Sequence, residues 1–322
     1  MYILGIDLGG TNIAIGLCNE KLEILDKDSV PTCAEREGEE IVCDMAALCK
    51  KIIDRNDLTV KDIARVGIAT PGSIDDINGI VEYSNNLKME NFPITEIFKK
   101  YFPAERVYIA NDANAAALAE DLAGAAKGSR VSLMITLGTG VGGGVIINHK
   151  IYAGSANGGG TELGHTVICS GGRQCTCGRR GCLEAYASAT ALTEMTEQTM
   201  YGLKIKGIPS KLFEVAKKEG KVSARTAFDA MRLGDPYGQK LVDDYIFYLA
   251  EGVTNMINIF QPDVLTIGGG VCNEKDYLMI PLLRHVERDQ YTRDSKNKTK
   301  IMIAKLKNDA GIIGAAGLGC EA

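Results

Sequence analysis

A histidine and three cysteines stand close together near the middle of this 322-residue chain, within one glycine-rich segment. They are His165, Cys175, Cys177 and Cys182. Zinc prefers four tetrahedral nitrogen and sulfur ligands, and one histidine with three cysteines fills all four positions. We therefore predict a closed, structural zinc site that stiffens a loop. The alternative is a disulfide, which the same cysteines could form in a secreted protein.

Three carboxylates stand where they could act on a ligand. Glu162 and Glu184 flank the predicted zinc site, so a metal that holds the loop would also hold these two acids. Asp112 lies between a predicted strand over residues 106–110 and an alanine-rich helix. Helix capping alone would explain Asn111 and Asp112, because both residue types are favoured N-caps. The other interpretation of Asp112 is a general base, since clefts open at the carboxyl ends of strands in α/β sheets.

Two glycine-rich turns each join a pair of predicted strands. Residues 7–12 read Asp-Leu-Gly-Gly-Thr-Asn, and the second turn contains Gly138, Thr139 and Gly140. The backbone N–H groups of such turns can form a concave site for phosphate. The second turn matches G-x-G-x-x-G but runs into a strand, whereas the dinucleotide-binding fingerprint opens a helix. The two turns superpose as a weak internal repeat, which suggests two related halves.

Residues in and near other turns are further candidates for ligand contacts. Asp7 ends its strand and could hold Mg²⁺ through water, or it could only cap a plain hairpin. Gly72 and the third glycine turn, Gly268 to Gly270, permit a ligand to approach the backbone closely, or they only turn the chain. Asn86 could offer its amide to hydroxyl groups, although loop asparagines are more often turn residues.

The segments that carry these residues alternate between strand and helix patterns. Strands are predicted over 2–6, 13–17, 65–69, 106–110, 145–147, 263–267 and 300–304, and helices over 36–55, 113–124, 183–198, 241–260, 281–289 and 309–319. Such alternation is typical of the α/β class.

Composition excludes several kinds of protein. An apolar content of 45% and a charged content of 24% are typical of globular domains, which excludes global disorder. The formal net charge of -5 argues against a nucleic-acid partner. No apolar run approaches the ~20 residues of a membrane span, and the N-terminus lacks the basic region of a signal peptide. We therefore expect no membrane partner and a reducing, cytoplasmic location for the ten cysteines.

Five motifs together carry a family resemblance that covers nearly the whole chain. They are Asp7-Leu-Gly-Gly-Thr, Asn111-Asp112-Ala-Asn, Leu137-Gly-Thr-Gly-Val-Gly-Gly-Gly144, Glu162-Leu-Gly-His165 and Cys175-x-Cys-Gly-x-x-Gly-Cys-x-Glu184. In this order they resemble the ROK family of bacterial sugar kinases and repressors, and within it the ATP-dependent glucokinases of Gram-positive bacteria. The resemblance implies an α/β, actin-like ATPase fold, related to RNase H, with two domains, an interdomain cleft and a structural zinc loop. The smaller domain is expected over 1–120 plus about 305–322, and the larger over 121–304, with the zinc loop at 161–186.

The resemblance also implies roles for the candidate residues. ATP phosphates are expected at Asp7, Gly9, Gly10, Thr11 and Asn12 and at Gly138, Thr139 and Gly140, with Mg²⁺ held by Asp7 through water and the adenosine near Gly268, Gly269 and Gly270. The sugar is expected against Gly72, Asn86, Asn111, Asp112, Glu162, His165 and Glu184. Asp112 would be the catalytic base that accepts the proton of the glucose 6-hydroxyl during phosphoryl transfer. Zinc is expected at His165, Cys175, Cys177 and Cys182.

Several alternatives share these motifs. The hexose could instead be N-acetylmannosamine, fructose, mannose or allose, and polyphosphate could replace ATP as donor. A non-catalytic, sugar-sensing ROK regulator is the alternative of a different class. We expect the kinase because repressors carry a DNA-binding segment ahead of the first turn, and only six residues precede Asp7 here. A role in glycolysis and a homodimer or homotetramer are also expected from the family.

Overall fold

The structure, a computed structural model, describes residues 1–154 and 160–320. The chain divides into two compact units. The first comprises Met1–Met134, Gly144–Thr161 and Ala304–Ala322, and the second Ile135–Gly143 and Glu162–Ile303. Residues 121–134 and 144–161, which we expected in the larger domain, thus group with the first unit. The physical reason is a shared apolar cluster that includes Leu118, Met134 and Ile146.

The secondary-structure elements are numbered in chain order. From the N-terminus to the alanine-rich helix that begins at Asp112 they are β1 Tyr2–Leu8, β2 Asn12–Cys18, β3 Ile24–Pro31, α1 Gly38–Arg55, β4 Ile63–Thr70, β5 Ser73–Asp75, β6 Ile80–Ser84, β7 Met89–Phe92, α2 Ile94–Tyr101, β8 Val107–Asn111 and α3 Asp112–Leu122. The remainder are β9 Val131–Leu137, β10 Val141–Ile147, β11 Lys150–Ile151, α4 Glu184–Ala187, α5 Ala189–Ile205, α6 Lys211–Glu219, α7 Ala224–Arg232, α8 Pro236–Phe260, β12 Val264–Gly268, α9 Asp276–Asp289, β13 Lys300–Ile303 and α10 Ala310–Gly317.

The first unit is built on a sheet with the strand order β3-β2-β1-β4-β8. Strand β1 pairs antiparallel with β2 and parallel with β4, which pairs parallel with β8. Helices α1 and α2 contribute residues such as Met45 and Phe98 to the core cluster that contains Leu4 and Ile6 of β1. Ile3 of β1 shares another cluster with α10. The sheet therefore has helices on both faces, which explains its nearly continuous apolar strands.

Helix α10 packs unusually close to this sheet. A Cβ atom on Gly5 of β1 would overlap the carbonyl oxygen of Ile312, and one on Gly67 of β4 would overlap that of Ala315. Gly314 of the helix approaches the carbonyl of Ala115 in α3 in the same way. The small residues of the C-terminal helix therefore serve the tight packing that its composition indicates.

The second five-stranded sheet has the order β11-β10-β9-β12-β13, which repeats the order of the first sheet. In each case the strand before a glycine turn is central, the strand after the turn lies beside it, and a third strand follows that one. The weak repeat in the sequence therefore corresponds to two sheets with the same strand order.

The longest helix of the second unit is α8, which begins five residues before the predicted start at residue 241. The Asp235 side chain accepts hydrogen bonds from the N–H groups of Tyr237 and Gly238, and Pro236 occupies the first turn. Both features favour helix initiation ahead of the apolar pattern. No helix in the described residues combines the length and apolar composition needed to cross a membrane.

Candidate active site and metal centre

The four predicted zinc ligands come together in the second unit. One ligand atom from each of His165, Cys175, Cys177 and Cys182 lies within 4.8 Å of the others. His165 Nδ1 is 3.5 Å from Cys175 Sγ, and the sulfurs of Cys177 and Cys182 are 3.7 Å apart. Tetrahedral zinc with Zn–S bonds of about 2.3 Å places its sulfur ligands about 3.8 Å apart. A disulfide needs about 2.05 Å, and all ten cysteines are free.

Local backbone structure brings these ligands together. Val167 and Cys182 form a β-bridge, as do Gln174 and Arg180. Gly178 and Gly181 lie in the left-handed region, with φ of 88° and 87°, which allows the short segment to reverse direction. The N–H of Arg179 lowers the pKa of Cys177, whereas desolvation raises the pKa of Cys175 and of Cys182. A metal that binds here must displace the protons of these thiols.

The Glu184 side chain joins the metal cluster to the second glycine turn. Its Oε1 accepts the hydroxyl hydrogen of Thr176 at 2.7 Å, and its Oε2 accepts the N–H of Val141 at 3.1 Å. A Cβ atom on Gly140 would overlap Oε2, so the glycine is needed for the carboxylate to lie there. The sequence placed Glu184 beside a sugar but gave no sign of this contact with the turn, because the two segments are separated by 43 positions.

Glu162 and His165 lie at the ends of one short turn. The N–H of His165 donates to the carbonyl of Glu162 at 3.0 Å, and Leu163 and Gly164 between them are buried. A Cβ on Gly164 would overlap the carbonyl oxygen of Val141. The segment that carries Glu162 and His165 therefore also packs directly against the end of the second glycine turn.

The second and third glycine turns share a cavity of about 1010 Å³ in the second unit. Gly138, Thr139 and Gly270 line it. The other two glycines of the third turn have different surroundings: Gly268 is buried at the end of β12, and a Cβ on Gly269 would overlap the backbone of Leu137. Of these three glycines, Gly270 is the one at the cavity wall.

Helices α5 and α7 provide another wall of this cavity, which the sequence analysis missed. Thr190, Thr193 and Glu197 come from α5, and Arg225, Phe228, Asp229 and Arg232 come from α7. Arg232 pairs with Glu274 and with Asp229, and its guanidinium lies 4.6 Å from the ring centroid of Tyr277. The only signal in the sequence was the amphipathic pattern of residues 224–232, which indicates a helix but no ligand.

The first glycine turn belongs to the first unit and is fixed by a residue that we did not predict. The N–H of Gly9 donates to the carbonyl of Asn12 at 2.9 Å. Thr32 is fully buried, and it donates its hydroxyl to the carbonyl of Gly9 at 2.6 Å. Its own N–H donates to the carbonyl of Thr11 at 2.9 Å. Thr32 follows β3, a strand that the sequence analysis did not recognise.

Three candidate sugar-binding positions also occur in the first unit. Asn111 Nδ2 donates to the carbonyl of Gly72 at 3.1 Å, which joins these two positions. Gly72 has a φ of 121° and lies so close to Tyr83 that only glycine fits. Asn86 lies beside the first glycine turn, since a Cβ on Gly10 would be 3.3 Å from the Asn86 Cβ.

Asn111, and not Asp112, is the cap of helix α3. Its Oδ1 accepts the N–H groups of Ala113 at 2.9 Å and of Asn114 at 3.3 Å. Asp112 is the first helical residue, and its Oδ1 accepts the N–H of Ala113 at 2.8 Å. The capping interpretation thus applies to Asn111, whereas Oδ1 of Asp112 accepts one N–H of the first turn from outside the cap position.

Asp7 and Asp112 are mutually close acids in the first unit. Desolvation raises the pKa of Asp7 to about 6, and the charge of Asp112 contributes to that rise. Desolvation also raises the pKa of Asp112, although the residue is exposed at the surface of the unit. The start of α10 contacts Asp7, because a Cβ on Gly311 would overlap its carboxylate. An acid whose charge is destabilised by a second acid is suited to share a cation or a proton with it.

The predicted site residues thus fall into two groups, one in each unit. The first unit contains Asp7, Gly9, Gly10, Thr11, Asn12, Gly72, Asn86, Asn111 and Asp112. The second contains Gly138, Thr139, Gly140, Glu162, His165, Cys175, Cys177, Cys182, Glu184, Gly268, Gly269 and Gly270.

Comparisons with known proteins cover nearly the whole chain. A family model described as "ROK family" matches residues 3–321. A glucokinase of Thermotoga maritima is 37% identical over 319 residues, which are 99% of this chain and 97% of the relative. The crystal structure of a ROK hexokinase from Thermus thermophilus has a TM-score of 0.82 and 33% identity, covering 98% of this chain and 97% of that chain.

A further solved structure carries ligands. It is a ROK family glucokinase from Streptomyces griseus in complex with glucose and AMPPNP, with a TM-score of 0.79, 28% identity and 99% coverage of both chains. These matches agree with the five motifs, the α/β architecture and the repeated sheet order. The chain belongs to the ROK family.

Proposed function

We propose that this protein is an ATP-dependent hexose kinase that phosphorylates the 6-hydroxyl of glucose. The observation that carries the proposal is the Asp112 carboxylate. It stands at the start of α3, the helix is already capped by Asn111, and a second acid lies nearby. Support for ATP and glucose as substrates comes from the full-length similarity to a glucokinase and to the glucokinase structure that holds glucose and AMPPNP.

The nucleotide would be bound by the glycine turns. The cavity that joins Gly138 and Thr139 to Gly270 has room for a nucleoside, with the phosphates toward the backbone N–H groups of the turn. Gly9, Gly10, Thr11 and Asn12 would bind phosphate oxygens in the same manner. When bound, Mg²⁺ supplies charge neutralisation at the phosphates, and Asp7 is suited to hold its hydration shell.

The chain's own residues would activate the sugar hydroxyl. Phosphoryl transfer depends mainly on positioning and on stabilisation of charge. Asp112 would accept the proton of the 6-hydroxyl as the hydroxyl oxygen attacks the γ-phosphorus and the bond from that phosphorus to the leaving ADP breaks. A raised pKa of Asp112 favours this proton transfer. Asn111, Gly72 and Asn86 in the first unit, and Glu162, His165 and Glu184 in the second, would orient the other hydroxyls by hydrogen bonds.

We further propose that the Cys₃His cluster holds a structural zinc ion. The donor set and the sulfur separations fit tetrahedral zinc. With four protein ligands no coordination position is open to substrate, so the ion would hold the loop and take no part in the chemistry. The thiols also support a reducing, cytoplasmic location, because all ten cysteines are free. A homodimer or homotetramer is our proposal for the assembly.

An assay of ADP release with ATP, Mg²⁺ and a panel of hexoses tests the function. Asp112→Asn should lower turnover on glucose by roughly 10² to 10⁴, as expected for the loss of a general base. Glucose binding, measured by calorimetry, should remain largely intact. Asp54→Asn is the matched control, because Asp54 is an exposed acid on α1.

Three outcomes would contradict the proposal in different ways. Near-normal turnover of Asp112→Asn would remove the assigned base. A faster reaction with N-acetylmannosamine, fructose, mannose or allose than with glucose, or with polyphosphate than with ATP, would replace a substrate. Glucose binding without any phosphoryl transfer by the unmodified protein would instead favour the sugar-sensing regulator.

A further inference from the structure

Thr176 is neither a proposed metal ligand nor a proposed substrate contact, yet it lies beside both kinds of residue. It lies between Cys175 and Cys177, two of the four clustered metal ligands, and its side chain is exposed. A metal bound by both neighbours would fix the backbone of Thr176. Its hydroxyl donates to Glu184 Oε1 at 2.7 Å. The residue therefore transmits the position of the metal loop to a carboxylate that is not a ligand.

Glu184 passes this constraint to the second glycine turn. Its other oxygen accepts the N–H of Val141 at 3.1 Å, immediately after Gly138-Thr139-Gly140. The lack of a side chain on Gly140 allows the carboxylate to lie against the turn. Oε1 is also 3.6 Å from Cys175 Sγ. A carboxylate has about four lone-pair directions, so these three contacts leave Glu184 able to accept a sugar hydroxyl as well.

Two further contacts fix the ends of the same turn. The carbonyl of Gly138 accepts the N–H of Ala189, the first residue of α5, at 2.8 Å. The absence of a side chain on Gly164 lets the short segment between Glu162 and His165 lie against the carbonyl of Val141. The turn that carries the proposed phosphate-binding amides is thus held by the segment that carries the metal ligands.

We propose that Thr176 is a positioning residue that couples the metal loop to both substrate sites through Glu184. The inference rests on the proposed kinase function and deepens it. The Thr176 hydroxyl would hold one oxygen of a carboxylate whose other oxygen accepts the N–H of Val141 at the proposed phosphate-binding turn, and Glu184 is itself a proposed sugar contact. Loss of the Thr176 hydroxyl should therefore weaken nucleotide and sugar binding together, although Thr176 touches neither ligand.

The test compares Thr176→Val, which removes the hydroxyl at nearly constant volume, with Thr176→Ser, which keeps it. Binding of Mg²⁺·AMPPNP without sugar, and of glucose without nucleotide, is measured by calorimetry on the full chain. We expect Thr176→Val to weaken each by about three- to tenfold, the size of one lost hydrogen bond to a charged group that is partly exposed. Thr176→Ser should retain both affinities.

Zinc content and thermal unfolding are measured in parallel to show that each variant is folded and contains zinc. Both should match the unmodified protein, because Thr176 is not a metal ligand. Normal affinity for Mg²⁺·AMPPNP in Thr176→Val would overturn the coupling, and so would equal losses in the Val and Ser variants. If the unmodified protein itself bound no Mg²⁺·AMPPNP, the proposed kinase function would be wrong, and this result differs from a loss in the variant alone.

Discussion

At the scale of single residues, the environment of a side chain decides its chemistry more than its type does. Asn111 and Asp112 are both favoured helix caps, yet Asn111 occupies the cap position and accepts two N–H groups, whereas Asp112 is the first helical residue and accepts the N–H of Ala113 alone. Asp112 is left as an acid whose pKa is raised by desolvation. Adjacent positions that the sequence could not separate therefore have different proposed roles, one structural and one catalytic.

The raised pKa of Asp7 predicts how stability depends on pH. The folded protein binds this proton more tightly than the unfolded chain does, because the pKa rises from 3.8 to about 6 on folding. The contribution to stability is complete below pH 3.8 and is lost as the pH rises through about 6.

Urea unfolding between pH 4 and 8, without added Mg²⁺, checks this expectation. As the pH rises from 4 to 8, the free energy of unfolding of the unmodified protein should fall relative to that of Asp7→Asn. The variant has no titrating group at this position. A constant difference between the two proteins would refute the assigned shift.

Adding a single Cβ atom at Gly138 tests the proposed phosphate-binding role of the second glycine turn. A Cβ placed on Gly138 meets nothing within 4 Å, so Gly138→Ala should leave the free protein as stable as before. The methyl group would occupy the space next to the proposed phosphate position, so KM for ATP should rise by about tenfold or more. KM for glucose is the internal control. An unchanged KM for ATP would place the phosphates elsewhere.

At the scale of elements, close packing of backbones decides which glycines can be replaced by a larger residue. The sequence alone does not show this difference. Gly67 of β4 faces the carbonyl of Ala315 in α10, whereas Gly202 of α5 faces open space. Gly67→Ala should lower the free energy of unfolding by about 1 to 3 kcal/mol or more, because rigid backbone must move. Gly202→Ala should raise it by about 0.5 to 1 kcal/mol, since alanine favours the helix.

Thermal or urea unfolding of both variants measures this difference. Shifts of the free energy of unfolding in the same direction for both substitutions would contradict the assigned backbone contact at Gly67.

The elements that the sequence predicted best are those with a strong local pattern. The apolar spacing of residues 36–55 predicted a helix, and α1 covers Gly38–Arg55. Strand β3 was missed because its side chains alternate between partly buried and exposed, without the apolar run of its neighbours. The hairpin strands β5 to β7 were also missed, since each is short and its pairing is decided by contacts outside the segment.

At the scale of the whole molecule, the proposed zinc site predicts how much metal the protein contains. Protein purified without added zinc should contain about one zinc per chain. Cys177→Ala should lose the metal and lower the unfolding temperature, because a structural site contributes its binding energy to folding. Metal analysis by mass spectrometry, with thermal unfolding, makes the measurement.

The control is Cys169→Ala. Cys169 lies in the same segment but outside the cluster of four ligands, so this variant should keep its zinc. A protein without zinc, or equal losses of zinc in both variants, would exclude the assigned ligand set.

The sequence by itself determined the family, the α/β class and the identity of the four clustered side chains that could hold a metal. These follow from short motifs and local patterns, because residues a few positions apart are constrained by backbone geometry alone. Only the tertiary structure decided that Thr32 fixes the first glycine turn, that Glu184 contacts the second, and that α5 and α7 line the cavity beside the second and third turns. Such contacts join segments far apart in the chain, and they depend on how sheets and helices pack, which no local pattern records.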